Sequence, residues 1–286
     1  MSIAVTGATG NFGRLTVEAL LRRGVPAEQV IATGRRIETL GDLGDRGVSL
    51  RPADYSDEIS LREAFAGADR LLLVSGTEVG QRIQQHTNAI AAAKASAVQL
   101  IAYTSVVRAD TSQLLIAHEH RGTEAALADS GVPHTLLRVS WYIDNYTAQL
   151  PAYLEHGIVG AADDGRISGA RADYAEAAAV VLAEEGHAGA TYELGGPAFT
   201  MSDLAEVVSA ATGQLVTYTN MSVQKYTDFL VAAGLGIPVA AAFADNDRGV
   251  AQGELYVETA DLEKLLGRPA TSLRTAVDMA VRDLRL

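Results

Sequence analysis

Three glycines at three-residue spacing lie in the run Gly7-Ala8-Thr9-Gly10-Asn11-Phe12-Gly13. Glycine at these places leaves room for what a side chain would block: a sharp turn at the first, the approach of a pyrophosphate at the second, and close helix–sheet packing at the third. A helix starting here has unpaired amide groups in its first turn, and its dipole favours an anion held in front of them. The spacing therefore suits a dinucleotide, although a glycine-rich turn without a ligand shares it. About twenty residues on, an NAD site places a carboxylate on the ribose hydroxyls; here the chain reads Ala32-Thr33-Gly34-Arg35-Arg36. A carboxylate would repel a 2′-phosphate and an arginine fork pairs with it, so Arg35 points to NADP(H), although two solvated surface arginines share the pattern. Asp54-Tyr55 suits an adenine contact, or an ordinary Asx turn at a strand end.

Other chemistries lack their residues. A Walker-type phosphate loop needs Gly-Lys followed by Ser or Thr, and none of the three lysines, Lys94, Lys225 and Lys264, follows a glycine. No Gly-x-Ser-x-Gly nucleophile elbow exists. His118 and His120 are two apart, so on a helix they diverge and cannot chelate one ion, and no metal is expected. Asp163-Asp164 and Glu184-Glu185 read as solvated loop and helix-end charge.

The elements that must position these residues alternate at the rhythm of a parallel sheet. After the strand Ile3-Ala4-Val5 and a helix on whose one face Phe12, Leu15, Ala19 and Leu20 repeat, strands are expected at 30–33, 48–51, 71–74, 100–104 and 135–139. Helices are expected at 60–66, 82–96 and 114–130. The pattern predicts a doubly wound α/β fold that binds its ligand at the carboxyl ends of the strands. Beyond Trp141 the rhythm breaks into a helix and loop over 141–169, a helix over 173–185 and a strand over 191–194 that rejoins the sheet. Ser202 is then expected to cap a helix reaching residue 211, with a strand at 216–219 and helices over 223–233 and 261–266. Residues 1–140, rejoined by 170–195, form the nucleotide-binding body in this reading, and 141–169 with 196–286 a smaller, mainly helical lobe beside a substrate cleft.

The composition fits a cytoplasmic enzyme of this size. With 286 residues, 48% hydrophobic and 20% charged, the chain can bury a large core. It has no cysteine, which removes thiolate nucleophiles and thiolate metal ligands. No stretch approaches the ~20 apolar residues of a membrane span, and a strand beginning at Ile3 has no signal segment before it, so no membrane association is expected. The net charge of −12 argues against nucleic acid as a partner.

Several stretches together are more specific than the glycines: Ala4-Val5-Thr6-Gly7-Ala8-Thr9-Gly10, Ser75-Gly76-Thr77-Glu78-Val79-Gly80-Gln81-Arg82, Ile101-Ala102-Tyr103-Thr104-Ser105, Ala109-Asp110-Thr111-Ser112, Thr135-Leu136-Leu137-Arg138, Trp141-Tyr142 and Arg171-Ala172-Asp173-Tyr174. On these the chain resembles, over essentially its whole length, the type-2 NAD(P)H:quinone oxidoreductases of the NmrA-like, atypical short-chain dehydrogenase group. The resemblance implies a Rossmann-type domain with a smaller C-terminal lobe, NADPH as cofactor, and direct hydride transfer to a quinone or related aromatic acceptor without flavin. It also implies roles for particular residues. Gly7 through Phe12 would hold the pyrophosphate and Arg35 the 2′-phosphate, with Ser75 and Gly76 beside the cofactor. Tyr103, Thr104 and Ser105, with Val139, Ser140, Trp141 and Tyr142, would line the nicotinamide end. Glu78, His120, Trp141 and Arg171 are candidate substrate contacts, and Tyr103, His120 and Tyr142 candidate catalytic groups.

Two departures bear on this expectation. Related quinone reductases carry Asn-Gly before the Trp-Tyr, where this chain has Val139-Ser140 and so lacks an amide that could orient a ring. The Tyr-x-x-x-Lys pair of most short-chain dehydrogenases is also missing, because Ile90, Met221 and Ala260 stand four residues before the three lysines. An alcohol dehydrogenase needs that proton donor. Reduction of a quinone leaves a stabilised phenolate that water can protonate, so the protein has mainly to hold two rings face to face. Two alternatives share the pattern: a nucleotide sensor that binds NADP(H) without turnover, and a triphenylmethane dye reductase.

Overall fold

The computed structural model describes residues 1–78 and 80–284; Val79, from the quoted loop, lies outside them, as do Arg285 and Leu286. Seven parallel strands form the main sheet in the order β3-β2-β1-β4-β5-β6-β9. These are β1 (Ile3–Val5), β2 (Val30–Gly34), β3 (Ser49–Pro52), β4 (Arg70–Leu73), β5 (Leu100–Val106), β6 (His134–Val139) and β9 (Thr191–Leu194). The intervening β7 (Ile158–Gly160) and β8 (Ile167–Ser168) pair instead with β11 (Tyr218–Asn220) and β10 (Ala198–Phe199) in two small sheets.

The central strands read as apolar runs because helices cover both faces. One face packs on α1 (Asn11–Arg22), with α2 (Gly41–Asp45) at the β3 edge; the other packs on α3 (Glu58–Phe65), α4 (Arg82–Ala95) and α5 (Leu115–Ser130). Residues of β1 divide between the two cores, Ile3 and Val5 towards α1 and Ala4 towards α3 and α4, as the two-residue strand period requires. A third core belongs to the smaller lobe. It gathers Ile143, Tyr146, Leu150 and Tyr153 from around α6 (Asp144–Thr147) and α7 (Leu150–His156), with Leu204 and Val208 of α9 (Met201–Thr212) and Val277 and Val281 of α13 (Leu273–Leu284). α10 (Val223–Ala232) and α11 (Ile237–Ala251) form a helical pair at its margin.

The smaller lobe differs from the sequence expectation in several respects. Residues 141–169 contain two helices and two short strands, and the strand expected at 216–219 is shifted to 218–220. Thr200, not Ser202, caps α9: its hydroxyl accepts from the Asp203 N–H while the Asp203 carboxylate accepts from the Thr200 N–H, a reciprocal box that outcompetes a lone serine two residues on. The helix α12 (Asp261–Leu266), expected in the lobe, packs on α8 (Arg171–Ala183) and β9, and Leu262, Leu266 and Ala270 join the core beneath α1. Apolar pairing with α8 outweighs chain order here.

Candidate functional site

The strand order reverses between β1 and β4, so the chain leaves these neighbours towards opposite faces and opens a crevice at their carboxyl ends. A cleft of about 490 Å³ starts there and runs along the sheet edge towards the smaller lobe.

At the β1 end the glycines do separate work. Gly7 has φ +59°, a left-handed conformation that a side chain strains. A Cβ on Gly13 would lie 2.5 Å from Gly7 O and 2.7 Å from its carbonyl carbon, so helix and turn touch backbone to backbone. Gly10 is the N-cap of α1; no side chain caps that helix and no acidic residue sits in its first turn. The amide groups of Asn11, Phe12 and Gly13 thus have neither helical nor side-chain acceptors and face the cleft, and Thr9, Gly10, Asn11, Phe12 and Gly13 all line it. Ala8 does not: it is buried, with its N–H donated to Thr33 O across the top of the sheet. A cradle that a single Cβ would fill, opening on uncapped amides, fits the pyrophosphate of a dinucleotide.

Arg35 sits on the rim just past β2, largely exposed, and its Nη1 donates to Glu78 Oε1 at 2.9 Å. Asp54 makes the Asx turn, its Oδ1 accepting from Ser56 N–H, yet it also lines the cleft. Tyr55 walls the same end with its hydroxyl donated to Val74 O.

The β4 loop at the other side of the crevice is clamped by buried polar groups from α4 and α5. Gly76 N–H donates to His86 Nε2 (3.0 Å) and Arg82 Nε donates to Gly76 O (2.8 Å). Gly80 N–H donates to Glu119 Oε1, Gln85 Nε2 to Glu78 Oε2, and the Glu119 carboxylate pairs with Arg82 at 3.2 Å. Burial, with the nearby Arg82 charge second, pushes the His86 imidazole down to about 3, so it is neutral. Its Nε2 accepts from Gly76, so Nδ1 carries the proton and donates to Thr123 Oγ1, whose own proton goes to Glu119 O. The sequence reading missed this clamp. Arg82, Gln85 and His86 stand at i, i+3 and i+4 directly after the loop, and that one-faced polar spacing is the signal that carried it.

Towards the smaller lobe the cleft is lined by Ser105, Val106, Ile116, His120, Val139, Ser140, Trp141, Tyr142, Asn145 and Arg171. Tyr142 packs between Phe12 (centroids 6.3 Å) and Tyr174 (5.9 Å), with the Arg171 guanidinium 4.8 Å from its ring centre. Burial raises its hydroxyl to about 12, against the pull of Arg171, so it stays protonated. Ser105 donates to Glu124 (2.5 Å), which Arg138 holds with two hydrogen bonds. Ser140, the departure from the quinone-reductase pattern, donates to Leu255 O and ties β6 to the lobe.

Two residues expected to line the nicotinamide end lie elsewhere. Tyr103 and Thr104 do not wall the cleft: Tyr103 is fully buried beneath it with its Oη 2.7 Å from His120 Nδ1, and Thr104 Oγ1 accepts from Ser75 N–H. Both support residues that do line it. His118 points to solvent while His120 faces the cleft, as their two-residue separation requires.

Comparison with known proteins then decides the relationship: the model of the NmrA-like family matches residues 1–275. The chain belongs to the NmrA-like family. It is 48% identical over 278 residues to "Quinone oxidoreductase 2" of Escherichia coli (strain K12), covering 96% of this chain and 97% of that protein. The crystal structure of an NADPH-dependent quinone oxidoreductase from Escherichia coli, complexed with NADPH, superposes with a TM-score of 0.94 at 46% identity, covering 98% and 99% of the two chains. The Citrobacter sp. triphenylmethane reductase complexed with NADP(H) gives 0.90 at 38% identity, covering 98% and 100%. Among the described residues no helix is long and apolar enough to cross a membrane, and no cluster of side chains has the makeup of a metal site.

Proposed function

We propose that this NmrA-like protein is an NADPH-dependent quinone reductase. One observation carries the reading: the uncapped amides of α1, the Arg35 guanidinium and the Trp141–Tyr142 wall open into a single cleft at the switch point of the sheet. The dinucleotide lies along it in this reading, with the pyrophosphate on Gly7 to Gly13, the 2′-phosphate at Arg35, the adenine by Asp54 and Tyr55, and the nicotinamide beside Ser75, Ser105 and Val139. When bound, NADPH supplies a hydride. The chain's own residues orient the acceptor: Trp141, Tyr142, Ile116 and Val106 give an apolar, aromatic slot for a planar ring, and Arg171 and Asn145 sit at its mouth. Because both rings share this cavity, transfer needs no flavin between them. A nicotinamide reductant and a small quinone or related aromatic acceptor suit work in the cytoplasm.

The purified protein is mixed with NADPH and a panel of benzoquinones, naphthoquinones and cationic triphenylmethane dyes. Catalytic loss of the dihydronicotinamide absorbance with quinones, without added flavin, supports the reading. Saturable NADPH binding with no oxidation would make the protein a nucleotide sensor. Turnover of dyes alone would move the substrate assignment.

A further inference from the structure

His120 lies on α5 with only 4% of its surface exposed, and it is exposed to the cleft. Its Nδ1 is 2.7 Å from the Oη of Tyr103. Tyr103 is fully buried, and a buried hydroxyl must place its proton on an acceptor. Among the described residues Oη makes its one hydrogen bond with His120, while Thr123 Oγ1, the next polar atom, accepts from His86 Nδ1–H and donates to Glu119 O. Tyr103 Oη therefore donates to His120 Nδ1, and the ring proton of His120 resides on Nε2. Among the described residues no protein group pairs with that Nε2–H. The His86, Tyr103 and His120 rings are in contact, with centroids 5.4 Å and 5.8 Å apart, yet the two imidazoles hold opposite tautomers: His86 is fixed to accept from the β4 loop, His120 to present a donor to the cleft. Burial first, then the positive Arg82 and the neighbouring His86, hold His120 well below the ordinary imidazole range, so it does this as a neutral ring. The nearby hydroxyls of Ser105 and Ser140 have committed their protons to Glu124 and Leu255 O.

Resting on the quinone-reductase reading, we propose that the neutral Nε2–H of His120, fixed in that tautomer by Tyr103, hydrogen-bonds the acceptor oxygen on which negative charge grows during hydride transfer. Hydride passes from the reduced nicotinamide to the quinone: the donor's carbon–hydrogen bond breaks with its electron pair, a new bond to hydrogen forms on the acceptor, and the acceptor is left as a hydroquinone monoanion. Water then supplies the proton that completes the hydroquinone. His120 starts and finishes neutral, donating a hydrogen bond and no proton. A fixed donor of this kind acts where charge develops and costs no reorganisation during the step. His120 is the catalytic residue in this proposal and Tyr103 a positioning residue.

The test joins ring-nitrogen NMR with steady-state kinetics. In protein labelled with 15N-histidine, His120 should show a protonated Nε2 and a bare Nδ1 at neutral pH, and His86 the reverse. Tyr103→Phe should move His120 towards the Nδ1–H tautomer and lower kcat with a benzoquinone about tenfold, leaving the NADPH dissociation constant within about twofold. His120→Leu should lower kcat by about 10- to 100-fold, the worth of one hydrogen bond to a charged oxygen, and His120→Gln, whose amide can donate from a similar position, should recover part of it. Wild-type His120 carrying its proton on Nδ1, or both substitutions leaving kcat within twofold of wild type, would overturn the proposal while the quinone-reductase reading stands. A wild-type protein that binds NADPH and reduces no quinone would overturn both. The tautomer is read on the wild type, so a variant that fails to fold leaves that arm decisive.

Discussion

The two roles assigned to glycines in the first turn separate in a pair of substitutions. In Gly13→Ala the new Cβ would sit 2.5 Å from Gly7 O, 2.7 Å from Gly7 C and 2.8 Å from Ala8 N. All three are backbone atoms, so relief needs a relative shift of helix and turn of about 0.9 Å to reach ordinary contact at 3.4 Å. Overpacking of this kind costs about 1–3 kcal/mol, and the helical gain from replacing glycine offsets roughly 0.5–1 kcal/mol of it. The fold should lose about 1–2 kcal/mol, or about 2–3 °C in melting temperature for a chain of this length. The displaced amides should also weaken NADPH at least about tenfold, the worth of one charge-assisted hydrogen bond. Gly10→Ala differs. Its backbone is extended (φ −100°, ψ 166°), and the added Cβ meets only Gly7 O at 3.3 Å, so the fold should lose less than about 1 kcal/mol. That methyl projects where the pyrophosphate must approach, and NADPH affinity should again drop at least about tenfold. Differential scanning fluorimetry of the free protein and fluorescence titration of NADPH measure the two effects separately. Gly10→Ala binding NADPH as tightly as wild type would remove the pyrophosphate from this turn. Gly13→Ala with an unchanged melting temperature would show that the contact is not tight.

Arg35→Asp should weaken NADPH by about 1.5–3 kcal/mol, at least about tenfold, and leave NADH unchanged or slightly tighter; the preference should shrink as salt rises, and equal losses for both nucleotides in paired titrations would mean general damage to the rim. Burial raises the Asp247 carboxyl to about 6 from an ordinary 3.8, against the Ala161 N–H that donates to it. The protonated form is the one the fold prefers, so the associated stability is full below 3.8 and lost as pH rises through about 6; Asp247→Asn should therefore gain about 1–3 kcal/mol in urea unfolding at pH 8 and little at pH 4. His86 has the opposite sign: its contribution is full above the ordinary 6.5 and lost as pH falls towards about 3, so wild type should lose about 2 kcal/mol from this group by pH 5, and a stability difference between wild type and His86→Gln that is the same at pH 5 and 7 would contradict it.

The glycine-turn end of the cleft, which the proposed function gives to the nucleotide, was legible as a site because its determinants are local. A turn, its glycines and the arginine after the next strand are contiguous in sequence, and the β-α-β rhythm gives the parallel order that joins them. The acceptor end was less so. Tyr103 and Ser105 are two apart on β5 and share a face, so nothing in their spacing reveals that one lies under the cleft and the other in its wall; that depends on α5, which covers Tyr103 with His120. The clamp on the β4 loop joins residues up to 39 positions apart, from Gly80 to Glu119, and each helix residue in it looks alone like a polar residue on a helix surface. The α12 placement was missed for the same reason: its apolar residues fit either core, and only packing on α8 chooses.

The polar atoms around the acceptor slot are largely spent on the protein itself. Ser105 serves Glu124, Ser140 serves Leu255 O and Thr104 takes the Ser75 amide, while the β4 loop has both Gly76 groups bonded to α4. A slot made this way offers a ring broad apolar contact and few competing hydrogen bonds, and the groups that define it cannot swing to suit a different ligand, since each would leave a buried partner unpaired. That arrangement explains how the chain can do without the tyrosine–lysine pair. An alkoxide product demands an acid at one point, whereas a planar acceptor whose charge spreads over a conjugated ring demands alignment and one fixed donor. The Val139-Ser140 departure fits the same logic: where related quinone reductases have an amide, this wall has a hydroxyl already tied to the neighbouring lobe, and under the proposed function the shape set by Trp141, Tyr142 and Ile116 is left to select the acceptor.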